Sequence, residues 1–246
     1  MKSLRLLALV VTVALAACGG KDAGNSAAPA NAANLAAVPP PAGKQWADVV
    51  AESPEHGFVM GNPSAAVKVA EYGSFTCPHC RDFATESAAD VQAMVNTGKM
   101  SFEFRNYVRD PLDMTMGLLA RCGGAEPFFP LMEQLFQNQA AAFEKLQAGG
   151  DGPYQAAMAL PPEQRFFALA QAAGLIDFVK QRGISEEKAK QCLGDTKTIE
   201  LLAKGVQDAN TQYNITGTPT LLLNGAVVPE TATWDLMKAK LKEAGL

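Results

Sequence analysis

Between residues 67 and 108 the apolar positions change period twice, and each change marks an element. Val67, Val69 and Tyr72 carry β-branched and aromatic side chains at near-strand spacing, ending at Gly73-Ser74-Phe75-Thr76. Cys80, Phe83, Ala84, Val91, Met94 and Val95 then recur at the three- and four-residue intervals of a helix from Pro78 to about Thr97, stopping near Gly98. From Lys99 to Val108 the pattern alternates again, Met100, Phe102 and Phe104 against Ser101, Glu103 and Arg105. Strand, helix, strand predicts a βαβ unit with a parallel pair and a right-handed crossover.

Upstream, Trp46 to Phe58 reads as a weak helix or an extended lead-in, and His56 to Pro63 as a short strand ended by a turn. Downstream, helical spacing occupies Pro111–Cys122, Pro127 to about Phe143, Pro162–Ala173 and Ser185–Cys192, several with a proline near the start. Gly149 to Pro153 and Pro161-Pro162 break this region into pieces. A helix from about Asp195 to Tyr213 carries Ile199, Leu202, Ala203, Val206 and Ala209 on one face. Thr220–Leu223 and Ala226–Val228 then form two strands joined at Asn224-Gly225, a strong hairpin signal, and Trp234–Ala244 is a closing amphipathic helix.

The first 45 residues have a different character. Lys2 and Arg5 precede an apolar run, Leu6 to Leu15, too short to span a membrane as a mature helix. This predicts a signal segment over residues 1–17. Leu15-Ala16-Ala17-Cys18 resembles the lipobox of bacterial lipoproteins, in which the cysteine is lipidated; the alternative is an ordinary signal peptide cut after Ala17. Residues 18–45 are mostly Gly, Ala, Asn, Ser and Pro, with too little bulky apolar surface to offset ordering entropy, and are expected to be a disordered tether. As a flexible coil it would reach about 30 Å. The expected location is therefore the cell envelope, on the periplasmic face of a membrane, with the outer membrane slightly favoured. A net charge of −4 and the absence of a basic stripe argue against nucleic acid as a partner.

The candidate chemistry lies at Cys77-Pro78-His79-Cys80, where the strand gives way to the helix. Pro78 suits the first helical position, since its missing N–H breaks no bond there. Free N–H groups and the positive end of the macrodipole stabilise an anion at Cys77, and the thiolate is the reactive form of cysteine. A pKa lowered to ~4, helped by a proton donor at His79, would stabilise the reduced form at pH 7 by about 4 kcal/mol, or ~90 mV towards oxidant. His79 could instead be a solvent-facing residue with little role. Cys122 and Cys192 lie at helix ends and are expected to form a structural disulfide; two free buried cysteines and a second redox centre are the alternatives.

The chain from about Gly57 to Leu246 resembles the DsbA family of periplasmic thiol-disulfide oxidoreductases. The resemblance rests on the tetrapeptide Cys77-Pro78-His79-Cys80, on Thr218-Pro219 opening a strand, and on Glu71, six residues before Cys77. It implies an α/β protein with a thioredoxin-like fold, a central mixed β-sheet and an inserted α-helical domain. The fold would be split into residues 46–110 and 204–246 around an insertion at 111–203. The resemblance further implies a redox-active Cys77–Cys80 disulfide with no other cofactor, Cys80 as the more buried thiol, and a cis bond at Pro219 that offers Thr218 backbone groups to an extended substrate. Glu71 would be the buried acid beneath the active site, a proton carrier rather than a solvated charge. The partners implied are reduced exported proteins and a membrane redox protein.

Two rival functions remain open at this point. Thr218 resembles the residue found in disulfide isomerases, which places the direction of electron flow between oxidase and isomerase or reductase. A metal-binding or metal-delivery lipoprotein using Cys77, His79 and Cys80 is the rival of another class. A closed zinc site needs four ligands, and His56, the other histidine, is far upstream.

Overall fold

The computed structural model describes residues 36–246. The expected signal segment, Cys18 and residues 18–35 of the expected tether lie outside the described residues. A 3₁₀ turn at Trp46–Asp48 leads into strand β1 (Val50–Glu52), so the lead-in is both helical and extended. Strand β2 (Phe58–Gly61) follows, then β3 (Val67–Gly73), helix α1 (Pro78–Asn96) and β4 (Met100–Asn106). β3 and β4 pair in parallel, Val67 beside Met100 and Gly73 beside Asn106, as the βαβ reading requires. The hairpin β5 (Thr220–Leu223) and β6 (Ala226–Val227) completes a six-stranded mixed sheet in the order β1-β2-β4-β3-β5-β6.

The hairpin turn falls where its residues allow it. Asn224 and Gly225 have φ of 51° and 84°, the left-handed pair that a tight two-residue turn demands. Asn224 also exchanges two 2.8 Å hydrogen bonds with Lys68, accepting through its side chain and donating from its main chain. These fix the hairpin against β3.

All of β4 is buried, including its polar alternates. Ser101, Glu103 and Arg105 belong to the sheet face away from α1. There Arg105 donates to Glu103 at 2.7 Å and to the Tyr72 hydroxyl at 3.1 Å. The alternation therefore marks two covered faces, one apolar and one held by an ion pair.

Between β4 and β5 lie α2 (Pro111–Arg121), α3 (Phe128–Gln137), α4 (Gln139–Ala148), α5 (Asp151–Met158), α6 (Pro162–Ala172), α7 (Leu175–Lys180), α8 (Glu186–Leu193) and α9 (Thr196–Tyr213). The helix predicted over 127–143 is two helices that meet at Asn138. The predicted break at 149–153 falls at Gly149-Gly150, between α4 and α5, and Pro153 lies in the first turn of α5, where its missing N–H goes unmissed. On α9 the buried stripe is Leu202 and Ala209, while Ala203 is exposed. Ala209 packs with Ala70, Tyr72 and Leu222 on the sheet face opposite α1. Helix α10 (Trp234–Glu243) closes the chain, its Trp234 edge-on to Phe83 of α1.

One apolar core joins the sheet, α1 and the inserted helices, separate from the smaller cluster around Ala209. Phe104 of β4 sits at its centre, with ring centroids 5.6 Å from Phe75, 5.9 Å from Phe136 and 6.1 Å from Phe128. Such aromatic pairs add about 0.5–1.5 kcal/mol each beyond the area they bury. The segment entering the cysteine motif is thus packed against the insertion through Phe75.

Candidate active site

Cys77 is the N-cap of α1, in extended conformation, and Pro78 occupies the helix's first turn. Cys77 and Cys80 are both reduced and both buried, Cys80 completely. The two thiols are electrostatically unequal. A hydrogen bond from Cys80 is the largest influence lowering Cys77, to about 4; burial opposes it, and the Thr218 hydroxyl and the Cys80 and His79 main-chain N–H groups assist. Burial pushes Cys80 well above the ordinary thiol range, reinforced by its bond to Cys77 and by the charge of Glu71. One sulfur is therefore an anion at neutral pH and the other keeps its proton.

Thr218 closes the site from the far end of the chain. The Thr218–Pro219 bond is cis, and as a thiol Cys77 donates from Sγ to the Thr218 carbonyl oxygen at 3.2 Å. The Thr218 hydroxyl is buried without another partner, so it is available to donate once Cys77 ionises. Pro219 is buried; Pro78 and His79 are exposed. What His79 contributes to the thiolate is its main-chain N–H, and among the described residues no hydrogen bond joins its ring to Cys77.

Glu71 lies in β3 between Phe104 and Leu221 of the neighbouring strands and is 1% exposed. Burial, then the charge of Cys77, raises its carboxyl to about 8, and Oε1 has no hydrogen-bond partner. Gly73 makes room for this carboxyl. A Cβ there would lie 2.7 Å from Glu71 Oε1 and closer still to the Phe104 ring.

The sequence reading missed the residues that hold the loop before Cys77. Asp113, in the first turn of α2, is buried and accepts from Ser74 Oγ at 2.5 Å, Phe75 N at 2.7 Å and Arg109 N at 2.9 Å. Burial outweighs these bonds and raises its carboxyl to about 7. Asp110 caps α2 and accepts from Thr76 Oγ1 at 2.5 Å. Gln139, starting α4, donates from Nε2 to the carbonyls of Phe75 and Cys77 at 2.8 and 3.0 Å. The Asp110-Pro111 pair is a legible helix start, yet nothing in its spacing names the loop it holds.

Cys122 and Cys192 are bonded to each other, S–S 2.02 Å, across 70 residues, linking the end of α2 to α8. Among the described residues no group of three His, Cys, Asp or Glu side chains could hold a metal ion. Thiol pairing and exchange is the chemistry this arrangement can perform.

Comparison with known proteins agrees with this geometry. Residues 53–243 match the family model described as Thioredoxin. A "Putative protein-disulfide oxidoreductase" of Rickettsia bellii is 26% identical over 172 residues, covering 70% of this chain and 58% of the relative. The chain thus spans little more than half the length of that curated relative. The crystal structure of a protein-disulfide isomerase from Novosphingobium aromaticivorans is 31% identical, with a TM-score of 0.72 over 75% of this chain and 95% of that one. The Wolbachia pipientis alpha-DsbA1 structure shares the fold at 17% identity, with a TM-score of 0.61 over 76% of this chain and 89% of that one. With its cysteine pair at a helix start and a family model matched over residues 53–243, the chain belongs to the thioredoxin family.

Proposed function

We propose that this protein is a cell-envelope thiol-disulfide oxidoreductase that acts as a dithiol oxidase, passing the Cys77–Cys80 disulfide to reduced exported proteins. The observation that carries the proposal is the unequal pair at the start of α1, Cys77 lowered to about 4 and Cys80 raised. A substrate thiolate attacks Cys77 Sγ, the Cys77–Cys80 bond breaks, and its electron pair and a proton settle on Cys80. A second substrate thiolate then attacks the substrate sulfur of the mixed disulfide, and Cys77 leaves as a thiolate. The substrate departs oxidised and the enzyme reduced. A stable Cys77 thiolate favours that direction. A membrane redox partner restores the disulfide, and a lipid on Cys18 holds the protein at the periplasmic face of the envelope.

The second reading is a disulfide isomerase, supported by the Thr218 hydroxyl beside Cys77 and by the name of the Novosphingobium relative. Equilibration with glutathione separates an oxidase from a reductase. A potential near about −120 mV supports the oxidase, while one near about −270 mV supports a reductase and overturns it. Oxidised protein should also introduce disulfides into a reduced, unfolded substrate. Normal turnover by Cys77→Ser would end the proposal.

A further inference from the structure

Cys80 is completely buried, yet each half-reaction changes its protonation. When the disulfide is reduced, Cys80 gains a proton; when the disulfide re-forms, Cys80 must lose it. Glu71 lies close enough for its charge to act on Cys80, but it is itself sealed from solvent. A carboxyl that serves a buried thiol must have its own connection to water.

The structure contains one beneath the sheet face that carries α1. A cavity of about 20 Å³ is lined by Glu71, by Ser87 of α1 and by Glu133 of α3, together with apolar side chains including Val91, Phe102 and Met132. That volume holds one water, and three polar side chains are enough to bind it. Glu71 Oε1, with no protein partner, belongs to this wall residue. Glu133 has a second aspect. It also lines an open groove of about 580 Å³ on the surface, with Gln92, Glu126 and Lys44. Of the groups lining the cavity, it is the one ionisable side chain shared with that groove.

From this geometry we infer that the Cys80 proton passes through Glu71, a water in the cavity and the Glu133 carboxyl to the surface groove. Glu133, on the helical insertion, is then a positioning residue that acts through Glu71. This inference rests on the proposed disulfide exchange. During reduction an external thiolate attacks Cys77 Sγ, the S–S electron pair leaves on Cys80, and Glu71 supplies the proton. Glu71 is reprotonated from Glu133 by way of the water, and Glu133 from solvent. Reoxidation runs the same path backwards.

The charged surroundings are few. Glu71 faces Cys77 and Cys80 on α1 and Glu133 across the cavity, while Glu103 and Arg105 of β4 belong to the opposite sheet face. In the groove Glu133 has Asp48, Glu126 and Lys44 for neighbours, the last two 3.9 Å apart. Burial raises the Glu133 carboxyl above its ordinary value.

Single-turnover reduction of the oxidised protein by excess dithiothreitol tests the route, with acid quench and thiol alkylation at several pH values. Glu133→Gln should slow the step about tenfold and shift its pH profile, below the roughly 100-fold expected of a direct general acid. Glu133→Asp, which keeps the carboxyl, should restore the profile. In a Glu71→Gln background Glu133→Gln should add nothing, since both act on one path. An unchanged Glu133→Gln profile, or slowing that multiplies with Glu71→Gln, overturns the route. Failure of the disulfide-exchange reading looks different, because there the wild-type protein itself would not oxidise a reduced substrate.

Discussion

Gln139 holds Cys77 by its main chain: the amide of a residue 62 positions later donates to the Cys77 carbonyl at 3.0 Å, fully buried. The same nitrogen donates to Phe75 at 2.8 Å. Gln139→Ala leaves both carbonyls unpaired away from water and should destabilise the protein by about 1–3 kcal/mol. Urea unfolding measures this; a loss below about 0.5 kcal/mol would mean the loop finds other donors.

Glu71 predicts a gain of stability on mutation. Its folded pKa, about 8, is raised above the ordinary value of 4.5. Its contribution is therefore intact below pH 4.5 and is lost as pH rises towards 8, because the unfolded chain ionises first. Glu71→Gln should be more stable than the wild type by about 2–3 kcal/mol at pH 7. The difference should vanish in acid. Parallel stability–pH curves for the two reduced proteins would contradict the buried carboxyl.

Cys77 has the opposite sign. Its folded pKa, about 4, lies below the ordinary 9, so the reduced protein gains stability as pH rises from 4 and keeps that gain fully only above 9. Comparing reduced wild type with Cys77→Ser should show a difference that grows across this window and shrinks towards pH 4. The thiolate absorbance of the native protein should titrate at the same low pH. An ordinary thiol titration would remove the basis for the oxidase direction.

Gly73→Ala should damage the floor of the site. Its methyl group meets the Phe104 ring and Glu71 Oε1 at once, and overpacking of this kind costs about 1–3 kcal/mol. Thermal unfolding reads the loss. A variant as stable as the wild type would show that the Glu71 carboxyl can move aside.

Removing the bridge between Cys122 and Cys192 by a double alanine substitution should lower stability by about 4 kcal/mol, given its closed loop of about 70 residues. The Cys77 titration should be unchanged. A shifted titration would tie this bridge to the active site.

The strand–helix–strand unit and the Asn224-Gly225 hairpin were legible because their signals are local: a change of period in one, two residues of positive φ in the other. The cysteine pair was legible for the same reason. Asp113 and Gln139 were not. In sequence, Asp113 looks like an acid favouring the start of a helix, and Gln139 like a polar surface residue. Both reach main-chain groups 38 to 64 residues away, which carry no side-chain signature. Helices α5 and α7, eight and six residues long, were too short to show a period against their glycines and prolines.

The bend leading into Cys77 hangs from three hooks, Asp110, Asp113 and Gln139, each of them on or capping an inserted helix. Cutting the molecule back to its strands, α1 and α10 would therefore unmoor the reactive sulfur as well as shorten the chain. Phe75 and Phe104 would be stripped of their cover on one side. A minimal version of this protein has to keep α2 with its cap and the start of α4, or rebuild their grips from some other scaffold.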